Sequence, residues 1–219
     1  MQVGIFNVWR GKPEQYVMAD MLVRSCQQAM PDVPIVHLTD MHSPAMVGVQ
    51  GVVRREHPKT AMLRIEHQRD CEGEWLFLDT DVLVQRDVRH VFDEAFDVAI
   101  ADRVGCATPT EGEAYPLYQK MPYNSGIVFS RSSAFWAAVL HHMQTVPPMK
   151  QEWMGDQYAV CAVVDQHQFT VKMLPGRIYN CPPMNSRDRC EDAAIVHFKG
   201  PDRKQFMLQR FMEECYASV

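Results

Sequence analysis

An α/β fold, with a mixed, mostly parallel sheet flanked by helices, is the architecture this sequence predicts, and three observations predict it. Strand-like and helix-like segments alternate over the first third of the chain, the pattern of right-handed βαβ units. The run Trp75-Leu76-Phe77-Leu78 is apolar throughout, as a strand buried on both faces should be. Two carboxylates, Asp79 and Asp81, follow it immediately, where open α/β sheets collect ligands at the carboxyl ends of strands.

The elements follow in order. Residues 3–8 (Val-Gly-Ile-Phe-Asn-Val) read as a first strand. Pro13 can open a helix, and Val17, Met18, Met21, Leu22 and Cys26 continue it at helical spacing to about Met30. Pro31 and Pro34 then break it. Residues 35–38 form a second strand ending in Thr39-Asp40, and residues 51–54 a short third. A helix over 59–69 leads into the strand at 75–79. Residues 96–101 make a further strand. Residues 105–123 carry Gly, Pro and Thr with little periodicity and read as a long lid or binding loop. A strand at 126–129 precedes a helix over 132–144 capped by Ser132 or Ser133. A helix at 156–164, a strand at 169–174, a polar loop at 181–190, a strand at 194–198 and a closing helix over about 204–216 complete the chain.

Composition bounds the function. The chain has 219 residues, which suits one domain spanning 1–219. Its net charge is −5 and no basic run stands out, which argues against an electrostatic nucleic-acid binder. No apolar segment has the length needed to span a bilayer. The seven cysteines are scattered without a Cys-x-x-Cys pair, which argues against a zinc ribbon or a secreted disulfide framework. With a first strand close to the N-terminus and no signal-peptide layout, a cytoplasmic protein is expected.

The chemistry centres on the two aspartates. Strand side chains alternate with period two, so Asp79 and Asp81 point to the same side. Two such charges repel, and a hard divalent cation, Mn²⁺ or Mg²⁺, relieves the repulsion and can hold a diphosphate. His197 at a strand end offers an imidazole to the same ion. Gly200 permits close backbone approach, and Arg203 and Lys204 stand near a helix start as cations for phosphate. Asn124 and Ser125, Asp156 and Gln157, Asp102, and Arg64 supply polar groups suited to a polyol ligand. Taken singly, each fits an ordinary role as well: Asp156 as a helix cap, Asn124-Ser125-Gly126 as a turn.

In their order and spacing these pieces resemble glycosyltransferase family 8, the retaining, metal-dependent enzymes that include glycogenin and bacterial lipopolysaccharide galactosyltransferases. The resemblance runs from the helix at 59–69 to about Lys204, more loosely over the first forty residues. The family's Leu-Asp-x-Asp-x-Leu-Val block is matched by Leu78-Asp79-Thr80-Asp81-Val82-Leu83-Val84, and its later His-x-x-Gly-x-x-Lys block by His197 to Arg203, with Lys204 adjacent. What this implies is a GT-A-like fold with Asp79, Asp81 and His197 as metal ligands. Asn7, Arg64, Asp102, Asn124, Ser125, Gly200, Arg203 and Lys204 would bind the donor, and Asp156-Gln157 would lie near its anomeric centre as the catalytic pair. The sequence departs from the family in three ways. The closing Lys-Pro-Trp is replaced by Arg203-Lys204-Gln205, Asn7 stands in place of the acid that holds uracil, and much of the acceptor-binding C-terminal extension is missing.

The expected function is therefore metal-dependent transfer of a sugar, with retention, from a nucleoside diphosphate sugar such as a UDP-sugar to an unidentified acceptor. The alternatives are a non-catalytic nucleotide-sugar-binding protein and a metal-dependent phosphohydrolase. A nucleotidyltransferase is disfavoured because Trp9-Arg10-Gly11-Lys12-Pro13 lacks a glycine-rich loop.

Overall fold

The computed structural model describes residues 1–103, 121–151 and 154–217. The expected loop at 105–123 falls almost wholly outside the described residues.

Nine strands form in the described residues: β1 Gln2–Phe6, β2 Ile35–Asp40, β3 Gly51–Arg55, β4 Trp75–Leu78, β5 Val82–Val84, β6 Val98–Asp102, β7 Tyr123–Ser130, β8 Val171–Leu174 and β9 Ile195–His197. The helices are α1 Pro13–Ala29, α2 Thr60–Arg69, α3 Ser133–Thr145, α4 Gly155–Val164, the one-turn α5 Gly176–Tyr179, and α6 Pro201–Ala217. Seven strands make one sheet in the order β3-β2-β1-β4-β7-β6-β8. All neighbours are parallel except β7, which runs antiparallel between β4 and β6.

The apolar run predicted to be a central strand is central. β4 lies between β1 and β7, and its four residues are all buried. Its alternation feeds two cores. Leu76 and Leu78 join Val3, Ile5, Ile127 and Phe129 under α1, while Trp75 and Phe77 join α2, α3 and α4 on the other face. Phe77 meets Trp136 edge-on at 5.7 Å between ring centroids, a geometry that adds to simple burial. A smaller cluster packs Met18 and Met21 of α1 against Val196, Phe198 and Met207, which seats α6 on the same side as α1.

Three local readings change. β7 begins at Tyr123, three residues before the strand start read at Gly126, so Asn124-Ser125-Gly126 lies inside the strand and not in the turn its residue types would also fit. The strand tolerates these residues because its register against β6 shifts between Ile100 and Ala101, a bulge that frees the local backbone. The closing helix starts at Pro201, using proline's fixed φ in the first turn, three residues earlier than the periodicity indicated. Val82–Val84 is a separate strand that pairs antiparallel with β9 in a two-stranded ribbon, joining Val82 to His197 in register. Helix α3 is capped as expected, with Ser132 Oγ accepting from the Phe135 amide at 3.2 Å.

Candidate active site

β4 ends at Leu78, and Asp79 to Asp81 form the turn that carries the chain from the main sheet to the β5–β9 ribbon. The two carboxylates thus converge through a turn, not through strand alternation as the sequence suggested. The turn is pinned on both sides: the Asp79 amide donates to Gly126 O at 2.8 Å, and the Phe198 amide donates to Asp81 O at 2.8 Å. The first bond ties the turn to β7, the second to the strand bearing His197.

Ligand atoms of Asp79, Asp81 and His197 lie within 4.8 Å of one another. His197 Nε2 is 3.2 Å from Asp81 Oδ1, and Lys204 Nζ is 3.1 Å from Asp81 Oδ2. On the other side, Arg64 Nη2 is 3.0 Å from Asp79 Oδ1, while its Nη1 is 3.0 Å from Asp156 Oδ2. Arg64 also donates to the Ser125 carbonyl at 2.5 Å. This guanidinium, 8% exposed, bridges α2, the metal-motif turn, β7 and the first turn of α4.

The charges are unequal in character. Burial pushes the Asp79 carboxyl up, Arg64 offsets part of this, and the neighbouring Asp81 adds to the rise. Burial would raise Asp81 too, but His197 and Lys204 outweigh it and hold that carboxyl far below the usual carboxylate range. Burial would weaken Arg64 as a cation, yet Asp79 and Asp156 keep its proton held more tightly than usual.

The donor set fits a hard divalent cation: two carboxylates and one imidazole, oriented before any ligand arrives. Asn180, fully buried, accepts on Oδ1 from His197 Nδ1 at 2.9 Å, and its Nδ2 donates to the Asp102 carbonyl at 3.3 Å. The carbonyl at Asp102 can only accept, so the amide orientation is determined, and with it the tautomer. Nδ1 of His197 carries a proton, and Nε2 faces the carboxylates 3.2 Å from Asp81 Oδ1, the nitrogen left for a metal ion to take. Gly126 lines the same space. A Cβ built there would sit 2.6 Å from Asp79 Oδ2 and 2.7 Å from His197 Cε1, so no side chain fits without displacing one of these two residues.

The structure brings Arg64, Asp79, Asp81, Ser125, Asp156, His197 and Lys204 into one connected set. Asn124 supports it by accepting from the Gly126 amide at 3.0 Å. Asp102 acts through its backbone on Asn180, and its own Oδ1 accepts from the Gly176 amide at 3.1 Å. Gln157 is buried at the start of α4, with Nε2 3.5 Å from Met121 Sδ. Asn7 is buried at the end of β1, its carbonyl accepting from Thr39 Oγ1 at 2.6 Å and contacted by His37 Nε2 at 3.1 Å. Gly200, at φ +82°, makes the left-handed turn that starts α6. Arg203 and Lys204 diverge. Arg203 donates to the carbonyls of Pro183 (3.1 Å) and Lys199 (3.4 Å), while Lys204 reaches Asp81. Asn180 escaped the sequence reading because a lone asparagine outside any motif carries no signal.

No family model matches the sequence, and no significant match is found among curated protein sequences. Solved structures do match. The bifunctional glycosyltransferase WbbM in its apo form superposes with a TM-score of 0.64 at 15% identity, over 96% of this chain and 49% of that one. The chain has the GT-A glycosyltransferase fold. The galactosyltransferase LgtC, in complex with donor and acceptor sugar analogs, matches with a TM-score of 0.59 at 16% identity, over 97% of this chain and 94% of that one. A glycosyltransferase involved in glycosylation of the major capsid of PBCV-1 matches with a TM-score of 0.61 at 14% identity, over 97% and 100%. The chain thus spans about half the WbbM structure and nearly the whole of the other two. Among the described residues, no helix is long and apolar enough to cross a membrane.

Proposed function

We propose that this GT-A chain, acting as one domain over 1–219, is a metal-dependent glycosyltransferase that moves a sugar from a nucleoside diphosphate sugar, such as a UDP-sugar, to an acceptor with retention. The observation that carries the reading is the convergence of Asp79, Asp81 and His197 within 4.8 Å at the end of the central strand, flanked by Lys204 and Arg64. Mn²⁺ or Mg²⁺ held by these three residues would supply positive charge to the diphosphate leaving group. Lys204, already 3.1 Å from Asp81, adds a second cation to the same leaving group. Arg203 holds the loop at Pro183, which positions the start of α6.

Arg64 and Asp156 hold each other, so they present a rigid polar wall to the sugar instead of mobile groups. Gln157 follows Asp156 in the first turn of α4 and lines the sugar near its anomeric carbon; an active-site Gln-to-Glu variant of LgtC is among the matching structures. An amide is a feeble nucleophile, so the acceptor attacks from the face the leaving group vacates. Asn7 and Asn124 contact the donor at the ends of β1 and β7. The free thiols of Cys26, Cys71, Cys161, Cys181 and Cys190 support a reducing, cytoplasmic setting.

A panel of nucleotide sugars, screened by thermal shift with Mn²⁺, would identify the donor. Nucleoside diphosphate release should then rise several-fold when the correct acceptor is added. Release at one unchanging rate across a broad acceptor panel would favour a phosphohydrolase.

A further inference from the structure

Away from the Asp79–Asp81–His197 cluster, α1, β5, α6 and the loop at Arg189 line a half-open cavity of about 680 Å³, within the size range of small-molecule sites. Its wall contains three arginines, Arg24, Arg189 and Arg210, and an apolar surface that includes Met21, Leu83 and Phe211. Two of the arginines are neutralised at the rim: Arg24 by Asp20 at 2.7 Å and Arg189 by Glu213 at 3.1 Å.

Arg210 differs from both. It is 2% exposed, and among the described residues it forms no ion pair. Its Nη2 donates to the Asp188 carbonyl, its guanidinium lies over the Phe198 ring at 4.8 Å, and its Nε is buried without an acceptor. Among the described residues Asp188 and Glu213 act on it electrostatically but neither pairs with it directly, so burying its unsatisfied Nε in a cavity wall is costly. Burial and the nearby Arg189 make it a weaker holder of its proton, an effect that Cys190, Asp188 and Glu213 offset only in part.

We propose that this cavity is an anion-binding site, separate from the metal site, for a small organic molecule carrying one phosphate or carboxylate group. The acid group meets Arg210 and Arg189, and the apolar body lies against Met21, Leu83 and Phe211. None of the lining residues belongs to the Asp79–Asp81–His197 set. The walls are nevertheless continuous with that set: β5 starts directly after Asp81, and α6 carries Lys204.

The test is calorimetric titration of the full chain with inorganic phosphate, phenyl phosphate and benzoate. At least one aromatic probe should bind tenfold more tightly than inorganic phosphate, because only these reach the apolar wall. The tighter of the two assigns the acid group as phosphate or carboxylate. Arg210→Met should weaken that probe at least tenfold. Arg189→Ala, a substitution at a half-exposed position, should weaken it severalfold in a protein of unchanged fold. Asp81→Asn should leave it unaltered, since that change disables the other anion site. Equal affinity in the wild type and both arginine variants, loss of binding in Asp81→Asn, or no binding of any probe at millimolar concentration would each overturn the proposal.

Discussion

Replacing Gly126 by alanine puts one methyl group into the space between Asp79 and His197, two of the three residues proposed to hold the metal. Its Cβ would lie 2.6 Å from Asp79 Oδ2, 2.7 Å from His197 Cε1 and 3.0 Å from Asn124 Oδ1. Ordinary contact begins at 3.4 Å, so the carboxylate oxygen must retreat by about 0.8 Å. A metal site tolerates only about ±0.2 Å in its ligand distances. Asp79 cannot swing far, because Arg64 holds its other oxygen, and His197 is held by Asn180. The variant should therefore bind Mn²⁺ at least tenfold more weakly, roughly 1.4 kcal/mol or more. Overpacking should also cost the metal-free fold about 1–3 kcal/mol. Electron paramagnetic resonance of free Mn²⁺ gives the affinity, and urea unfolding in chelator gives the stability. A folded Gly126→Ala protein with wild-type Mn²⁺ affinity would refute the placement of the ion beside Gly126.

Other perturbations follow from the same geometry. Asn180→Leu should lower Mn²⁺ affinity about 10–100-fold, as loss of a group orienting a metal-bound histidine usually does, while Asn180→Asp should retain most of it; equal binding in all three proteins would contradict the assigned tautomer. Lys204→Met should weaken nucleoside diphosphate binding by about 1.5–3 kcal/mol, and Arg203→Met should weaken it less, since Arg203 is engaged with the Pro183 carbonyl; the reverse order in a titration would exchange their roles. Gln157→Ala should reduce kcat much more than it reduces affinity for the free diphosphate, and normal turnover at saturating donor would remove Gln157 from the sugar subsite. Stability should fall in acid. Burial lowers the His67 pKa from 6.5 to about 4, and among the described residues its Nδ1 has no hydrogen-bond partner. The unfolded chain therefore binds the proton first, and stability is lost as pH drops from about 6.5 to 4, by about 2 kcal/mol between pH 7 and pH 5. Denaturant unfolding at the two pH values in wild type and His67→Gln checks this, and an undiminished loss in the variant would assign it to other groups.

The sheet was legible in the sequence because its central strands are continuous apolar runs and its first half alternates regularly with helices. β7 was legible as a strand from Gly126-Ile127-Val128-Phe129, but not its start, because Asn-Ser-Gly is ordinary turn chemistry that only the bulge against β6 converts into strand. β5 was hidden for a different reason. Three residues after an Asp-containing turn look like more of the preceding strand, and only the partner, β9, shows that the chain has entered a second sheet. The cluster of Asp79, Asp81 and His197 could be picked out because metal chemistry restricts the residue types. Asn180 could not, because it acts through a hydrogen bond to His197 that leaves no pattern in one sequence. The same limit applies to Arg203 and Lys204, adjacent cations that the start of α6 turns in different directions.

The central claim is that Asp79, Asp81 and His197 hold a metal that in turn holds a nucleoside diphosphate. The most direct measurement is calorimetric titration of UDP into the wild-type, Asp81→Asn and His197→Ala proteins, each with Mn²⁺ and with excess chelator. UDP should bind the wild type with Mn²⁺ only, and binding should be lost in both variants while their metal-free unfolding remains cooperative. UDP binding of equal strength in chelator, or in both variants, would contradict it.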